Sequence, residues 1–150
     1  MKSPALQCLL GDRVEPRLSF VTLGVADLRR ATEFYANVLR LPQIETPPAI
    51  SFFEMGRTYL ALYPRADLAA DAGLPAPGDP VPGAFPGFTL AHNVRSAREV
   101  DQLLSQVEAG GGRIVQAGRP RPEFQGYSGY FADPDGFLWE VAYNPHFPHA

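Results

Sequence analysis

The chain has 150 residues, 45% hydrophobic and 19% charged, which is typical of one soluble globular domain. Its formal net charge of −3 excludes the basic footprint of a nucleic-acid-binding domain. Cys8 is the single cysteine, so an internal disulfide is excluded and a reducing, cytoplasmic location is expected. We find neither a signal-peptide pattern nor an apolar run long enough to predict a membrane span, and expect residues 1–16 to form a loosely held leader.

The first half of the chain predicts a strand, a helix and two further strands. Polar and apolar residues alternate over 18–25, which indicates a strand with two distinct faces. Asp27 fits the N-cap of a helix that Pro42 ends. Short strands over about 50–55 and 58–63 complete this half.

The second half repeats this order after a stretch rich in proline and glycine. Residues 64–87 predict a linker or lid-like loop. A strand over 88–94 then precedes a helix, with Ser96 as N-cap and Glu99 completing a capping box. Three further strands are predicted near 112–118, 127–133 and 137–144.

This internal repeat predicts an α+β fold of two βαβββ modules that form a cup-shaped mixed sheet. Residues 20–28 align with 89–97, and 59–64 with 139–144. Each module has one helix, which covers one sheet face and leaves the other free to line a cup. The predicted organisation is a leader at 1–16, one domain over 17–145 (module one about 17–64, linker about 65–86, module two about 87–145) and a tail at 146–150.

The segment FADPDGFLWE, residues 131–140, concentrates three carboxylates. Asp133–Gly136 fits a hairpin turn, because proline suits the second position of a type I turn and glycine the fourth. A calcium loop would need more oxygen ligands at alternating positions. In the following strand, Trp139 and Val141 are expected to pack on the helices, so alternation directs Glu140 into the cup.

These features resemble the vicinal oxygen chelate superfamily, which includes glyoxalase I, bleomycin-resistance proteins and extradiol dioxygenases. The opening motif is FVTLGVADLRRATEFYANVLRLP at 20–42, and the closing motif is YSGYFADPDGFLWEVAYNP at 127–145. The resemblance implies paired βαβββ modules that form a cup, usually in a homodimer. It specifies the fold more closely than the activity, because this fold hosts several chemistries.

The resemblance also implies four inward positions at which metal-dependent members carry His, Gln or Glu. Phe20, Ala61, Thr89 and Glu140 occupy these positions here, and only Glu140 matches. A catalytic metal usually keeps at least three protein ligands. We therefore predict no cofactor and regard a divalent metal as unexpected.

The histidines are not expected to complete a metal site. His92 lies at an odd offset from Thr89 and should face away from the cup, unless a local bulge reverses the alternation. His146 and His149 belong to the tail, and no role is expected for them.

Three hypotheses follow for the cup. The first is a metal-free protein that binds a small, partly apolar or aromatic molecule. The second is a lyase or oxidoreductase-type enzyme that uses Glu140 as acid or base, or an unconventional metal site. The third is a structural or partner-binding domain whose cup is filled by its own side chains. The predicted ligand-binding residues are Phe20, Thr22, Tyr59, Ala61, Thr89, Phe124, Tyr127 and Glu140.

Overall fold

The structure, a computed structural model, describes residues 14–45 and 47–147. Over these residues the chain forms two βαβββ modules with four-stranded mixed sheets, which confirms the predicted α+β fold class. The leader prediction falls almost entirely outside the described residues, as does the end of the tail. No helix in the described part of the chain is long and apolar enough to cross a membrane.

Module one has the sheet order β1-β4-β3-β2, in which β1 runs parallel to β4 and the other neighbours are antiparallel. Asp27 caps the first helix as predicted, accepting a hydrogen bond from the backbone N–H of Arg30 at 2.9 Å. The elements are β1 (Phe20–Val25), α1 (Leu28–Glu33) continued by a π-helical turn (Phe34–Val38), β2 (Gln43–Ile44), β3 (Ser51–Met55) and β4 (Thr58–Pro64).

The predicted linker begins with a helix that sequence reasoning missed. Helix α2 (Arg65–Asp71) follows β4 directly. Its segment RADLAAD contains good helix formers, whereas the prolines and glycines that suggested a loop come after it.

Module two repeats the topology of module one in the order β5-β8-β7-β6. Ser96 accepts a hydrogen bond from the N–H of Glu99 at 3.2 Å, which confirms the predicted helix start. The elements are β5 (Leu90–Val94), α3 (Ala97–Ala109), β6 (Arg113–Arg121), β7 (Gly126–Ala132) and β8 (Leu138–Tyr143).

The two modules share one core, into which the helix side of each sheet packs. The ring of Tyr35 lies 6.0 Å from Phe53 of module one and 6.1 Å from Trp139 of module two, between ring centroids. Phe34 approaches Phe131 of module two at 6.3 Å. These five aromatic residues are all buried, so the two that follow α1 join the two halves.

The Asp133–Gly136 turn is confirmed. The N–H of Gly136 donates to the carbonyl of Asp133 at 3.0 Å, and Gly136 has a φ of 87° that suits glycine. One carboxylate oxygen of Asp133 also accepts the N–H groups of Asp135 and Phe137 at 2.9 and 2.8 Å. The turn is therefore held by a side chain as well as by the backbone.

The same turn links the modules through buried polar contacts that the sequence did not suggest. The Tyr35 hydroxyl donates to the second carboxylate oxygen of Asp133 at 2.6 Å and accepts from the indole N–H of Trp139 at 3.0 Å. Asp135 accepts the N–H of Ala26 at 2.8 Å. We call the Tyr35–Asp133–Trp139 group the inter-module triad.

The shared core determines where the free sheet faces lie. We call the face of each sheet that points away from this core its open face. Over residues 14–45 and 47–147, hydrogen bonds join the strands into two four-stranded sheets, one in each module. A single chain therefore presents two open faces, one on each module.

Candidate functional site

An aromatic cluster lies on the open face of module one. Phe20 of β1 stacks on Tyr59 of β4 with 5.2 Å between ring centroids, and its ring lies 5.6 Å from Phe52 of β3. Phe20 is 48% exposed although it is a large apolar residue. An exposed aromatic cluster of this kind commonly marks a binding surface.

The predicted residues Thr22 and Ala61 lie beside this cluster. They are direct neighbours across the parallel β1–β4 pair, and Phe20 and Tyr59 form the preceding pair on the same face of the sheet. Thr22 is exposed, whereas Ala61 is buried. Helix α2 covers the far end of the face, where a Cβ added to Gly24 would lie 3.3 Å from the Cα of Arg65.

Glu140 lies on the open face of module two, as alternation predicted. Its neighbours along β8, Trp139 and Val141, are buried and face the core. Across the sheet, Glu140 is paired with Ala91 of β5 and Tyr130 of β7. The register repeats that of module one, where Thr22 and Ala61 are the corresponding pair. Ala61 therefore corresponds to Glu140, and the predicted alignment of 59–64 with 139–144 is wrong by one residue.

The carboxylate of Glu140 is engaged by the hydroxyl of Tyr130. The hydroxyl donates to a carboxylate oxygen at 2.7 Å, and both side chains are half-buried. Partial burial and the hydrogen bond to Glu140 raise the pKa of Tyr130, so the phenol keeps its proton at neutral pH. This pair is a phenol that donates to a carboxylate oxygen.

Arg121 and Ser128 extend this polar group, and sequence reasoning missed both. The Nη1 of Arg121 donates to the Ser128 hydroxyl at 2.9 Å, and its guanidinium lies 5.6 Å from the ring centroid of Phe124. Ser128 is buried, and it precedes Tyr130 by two residues on β7. The predicted residue Phe124 thus lies beside an arginine that had not been singled out.

Two of the predicted ligand-binding residues, Tyr127 and Thr89, do not lie in the middle of the open face. Tyr127 lies on the helix side, where its hydroxyl donates to Asp101 of α3 at 2.9 Å. It cannot share a face with Ser128 and Tyr130, because successive strand residues point to opposite sides. Thr89 precedes β5 at an exposed position in alternation with Ala91, so it lies at the margin of the face.

His92 faces the helix side, as its odd offset predicted. It lines a small apolar cavity of about 60 Å³ together with Leu103 and Trp139. It also borders a wide cleft of about 540 Å³ between β5 and α3. Neither space reaches Glu140, so these cavities are separate from the open-face residues.

The donor set does not fit the divalent metal that the fold family implies. Phe20, Ala61 and Thr89 occupy three of the four family positions, and the hydroxyl of Tyr130 engages the fourth, Glu140. Among residues 14–45 and 47–147, no three His, Cys, Asp or Glu side chains are grouped closely enough to hold a metal ion. Sites for such ions usually supply at least three protein ligands.

Solved structures share this architecture. A glyoxalase-related enzyme from Fulvimarina pelagi is 33% identical, with a TM-score of 0.76 over 87% of this chain and 90% of that chain. Lactoylglutathione lyase from Agrobacterium tumefaciens is 25% identical, with a TM-score of 0.64 over 87% and 96%. The fosfomycin resistance protein FosX from Listeria monocytogenes is 25% identical, with a TM-score of 0.66 over 87% and 95%.

The family model agrees with these structures. It describes the Glyoxalase/Bleomycin resistance protein/Dioxygenase superfamily and matches residues 17–141, a range that includes both modules. The repeated βαβββ topology and the position of Glu140 on the last strand are consistent with that match. This chain therefore belongs to the Glyoxalase/Bleomycin resistance protein/Dioxygenase superfamily.

Proposed function

We propose that this protein binds a small, partly apolar or aromatic molecule on its open faces without a metal ion. The observation that carries the proposal is the exposed cluster of Phe20, Phe52 and Tyr59. An aromatic ligand would remove Phe20 from water and stack on a surface whose rings are already positioned. The polar residues of module two would orient the ligand.

The metal-free part of the proposal is supported by the donor set. Phe20 stands at a position where metal-dependent members would carry a metal ligand. It supplies no donor atom there, and its apolar ring fills the space. Glu140 supplies one carboxylate, which is too few ligands to compete for a divalent ion. The side chains favour recognition through aromatic contacts and hydrogen bonds.

The first prediction concerns ligand affinity. Phe20→Ala should weaken binding of an aromatic ligand about five- to twentyfold, because stacking and apolar burial are lost. The measurement is calorimetric titration with compounds first found by thermal shift against aromatic and antibiotic-like molecules. Phe88→Ala is the matched control, since Phe88 is similarly exposed at 41% but packs at a tilt against Phe137, away from the cluster.

Two results would remove this proposal. The aromatic part fails if no such compound shifts the melting temperature, or if Phe20→Ala and Phe88→Ala behave alike. The metal-free part fails if elemental analysis of protein purified without a histidine tag finds stoichiometric metal. Stabilisation by added Ni, Zn, Mn or Fe would contradict it equally.

The complete site is proposed to form in a homodimer. Because the helix sides share one core, the two open faces of a chain lie on different sides of it and do not enclose a ligand together. A twofold dimer can place module one of one chain opposite module two of its partner. That arrangement would cover the exposed ring of Phe20 and enclose Glu140.

Light scattering should therefore give twice the mass of one chain. In co-expressed heterodimers, one chain carries Phe20→Ala and the other carries Arg121→Gln. If each site combines two chains, one site is wild type and the other has both changes, so half of the sites should retain full affinity. A monomer that still binds ligand, or heterodimers with two equally weakened sites, would contradict the shared site.

A second function is supported by the Tyr130–Glu140 hydrogen bond. A protonated phenol 2.7 Å from a carboxylate can serve as a paired acid and base, and similar structures include a lactoylglutathione lyase. Glu140→Gln separates the alternatives. It should abolish turnover in an enzyme, whereas a binding protein has no turnover to lose and should change only in affinity.

A further inference from the structure

A row of polar side chains crosses the open face of module two, from Arg121 through Ser128 and Tyr130 to Glu140. We infer that Arg121 binds the oxyanion group of the ligand, a carboxylate or a phosphonate. Glu140 then accepts a hydrogen bond from a hydroxyl or amine on the same molecule. This inference rests on the proposed function, because it names the ligand class of the same site.

The guanidinium of Arg121 is fixed in position before any ligand binds. Its side chain is 19% exposed, a low value for arginine. The buried hydroxyl of Ser128 accepts from Nη1, and the ring of Phe124 supports the guanidinium from the side. A preorganised arginine loses little conformational freedom when it binds an anion.

Arg121 is also incompletely paired. Its charged partner is Glu123, whose carboxylate lies 3.5 Å from Nε and whose side chain is 63% exposed. Among the described residues, the side chain of Arg121 donates to Glu123 and Ser128, and it lies close enough to the Tyr130 hydroxyl to oppose the rise in the pKa of that phenol. A planar guanidinium whose charged partner is an exposed side chain can exchange that partner for the two oxygens of a carboxylate or phosphonate.

The spacing along β7 keeps the ligand's charge away from Glu140. Ser128 contacts Arg121 and Tyr130 contacts Glu140, and these two β7 residues are two positions apart. Two positions in a strand span about 7 Å, the length of a small molecule. The Tyr130 hydroxyl donates to one carboxylate oxygen of Glu140 and so lies between Glu140 and the Arg121 end of the row.

A second cation strengthens this end of the face. Arg119 is paired with Ser128 across the β6–β7 ladder, and Arg121 is two residues further along β6, so both lie on the open face. Arg119 is exposed and adds positive potential without a fixed geometry. The ligand's charged end is therefore assigned to the Arg119–Arg121 end of the row, and its apolar body to the aromatic cluster on module one of the partner chain.

The test uses three probes that share one benzyl body: phenylacetate, benzylphosphonate and 2-phenylethanol. Calorimetry or ligand-observed NMR on the full-length protein should show at least tenfold tighter binding of one or both anions than of the alcohol. Arg121→Gln should abolish that difference. Arg121→Lys should retain part of it, because the charge remains while the planar fork is lost.

Arg98→Gln is the matched control, because Arg98 is an exposed arginine on α3, on the helix side of the sheet. It should leave all three affinities unchanged. Circular dichroism and light scattering establish that each variant is folded. The preferred anion then identifies whether the site accepts a planar or a tetrahedral oxyanion.

The possible failures are distinguishable. If 2-phenylethanol binds as tightly as the anions, the oxyanion assignment is overturned while the proposed aromatic binding stands. If the anions bind tightly but Arg121→Gln has no effect, Arg121 is not their site. If none of the three probes binds, the inference and the proposed function both fail.

Discussion

Replacing Tyr35 with phenylalanine should lower the free energy of unfolding by about 2 to 3 kcal/mol. The variant keeps the buried ring but removes the hydroxyl that donates to Asp133 and accepts from Trp139. Two buried polar groups then lose a partner, and one of them is a carboxylate. Leaving such groups unpaired costs more than the hydrogen bonds alone contribute.

The position of Tyr35 explains why a single oxygen has so large an effect. Tyr35 is fully buried, and its ring touches Phe53 of one module and Trp139 of the other. Burial, and next the nearby Asp133 carboxylate, raise the pKa of Tyr35 well above its usual value, so the phenol remains a donor at all ordinary pH values.

Urea denaturation at pH 7 measures this change. Tyr63→Phe is the control, since Tyr63 is half-buried near the end of β4 and takes no part in the inter-module triad; it should change stability by less than about 0.5 kcal/mol. If Tyr35→Phe were equally mild, the triad would not stabilise the fold.

The alternation of residues along the strands correctly predicted which side of the sheet several side chains face. Trp139 and Val141 are large and apolar, so only one register of β8 buries them, and that register points Glu140 outward. The same reasoning located Phe20 and directed His92 away from the open face. The prediction succeeded at these positions because a slip of one residue would expose the core.

Arg121 escaped prediction because it was assigned to a loop that began at residue 119, whereas β6 continues to Arg121 through two irregularities that alternation does not anticipate. The register of β6 against β7 shifts between Ile114 and Gln116 and again between Gln116 and Arg119. Each irregularity changes which residues share a face, and no sequence signal marks it. Tyr127 was misplaced because it was grouped with the same loop, although alternation with Tyr130 would have directed it to the helices.

The role of Asp133 escaped prediction because its partner is distant in sequence. The turn chemistry of Asp133–Gly136 is local and was predicted correctly. Tyr35 lies 98 residues before Asp133, and their hydrogen bond depends on how the two modules pack. Helical periodicity indicated that Tyr35 would lie near the apolar face of the first helix. It did not indicate that the Tyr35 hydroxyl would donate to Asp133.

The stability of the protein should fall as pH rises from about 4 to about 6. Burial is the main cause that raises the pKa of Asp133 from 3.8 to about 6, while the hydrogen bond from Tyr35 opposes the rise. Between these values the folded protein retains a proton that the unfolded chain has released. Folding is therefore favoured below pH 4, and this contribution is lost as pH passes through 6.

The expected loss is about 3 kcal/mol at most, because one pKa unit corresponds to about 1.4 kcal/mol. Other carboxylates titrate in the same range, so the quantity to measure is the difference between the wild-type profile and that of Asp133→Asn. Urea denaturation from pH 4 to pH 7.5 gives both profiles. Asp71→Asn, at an exposed position of α2, should leave the wild-type profile unchanged.

The Tyr35→Phe variant tests the cause of this pH dependence. The hydrogen bond from Tyr35 lowers the pKa of Asp133, so its removal should move the fall in stability to higher pH. Much of the cost of Tyr35→Phe should then disappear at low pH, where Asp133 is protonated in both proteins. A cost independent of pH would instead assign the effect of Tyr35 to Trp139, whose indole N–H has no charge to titrate.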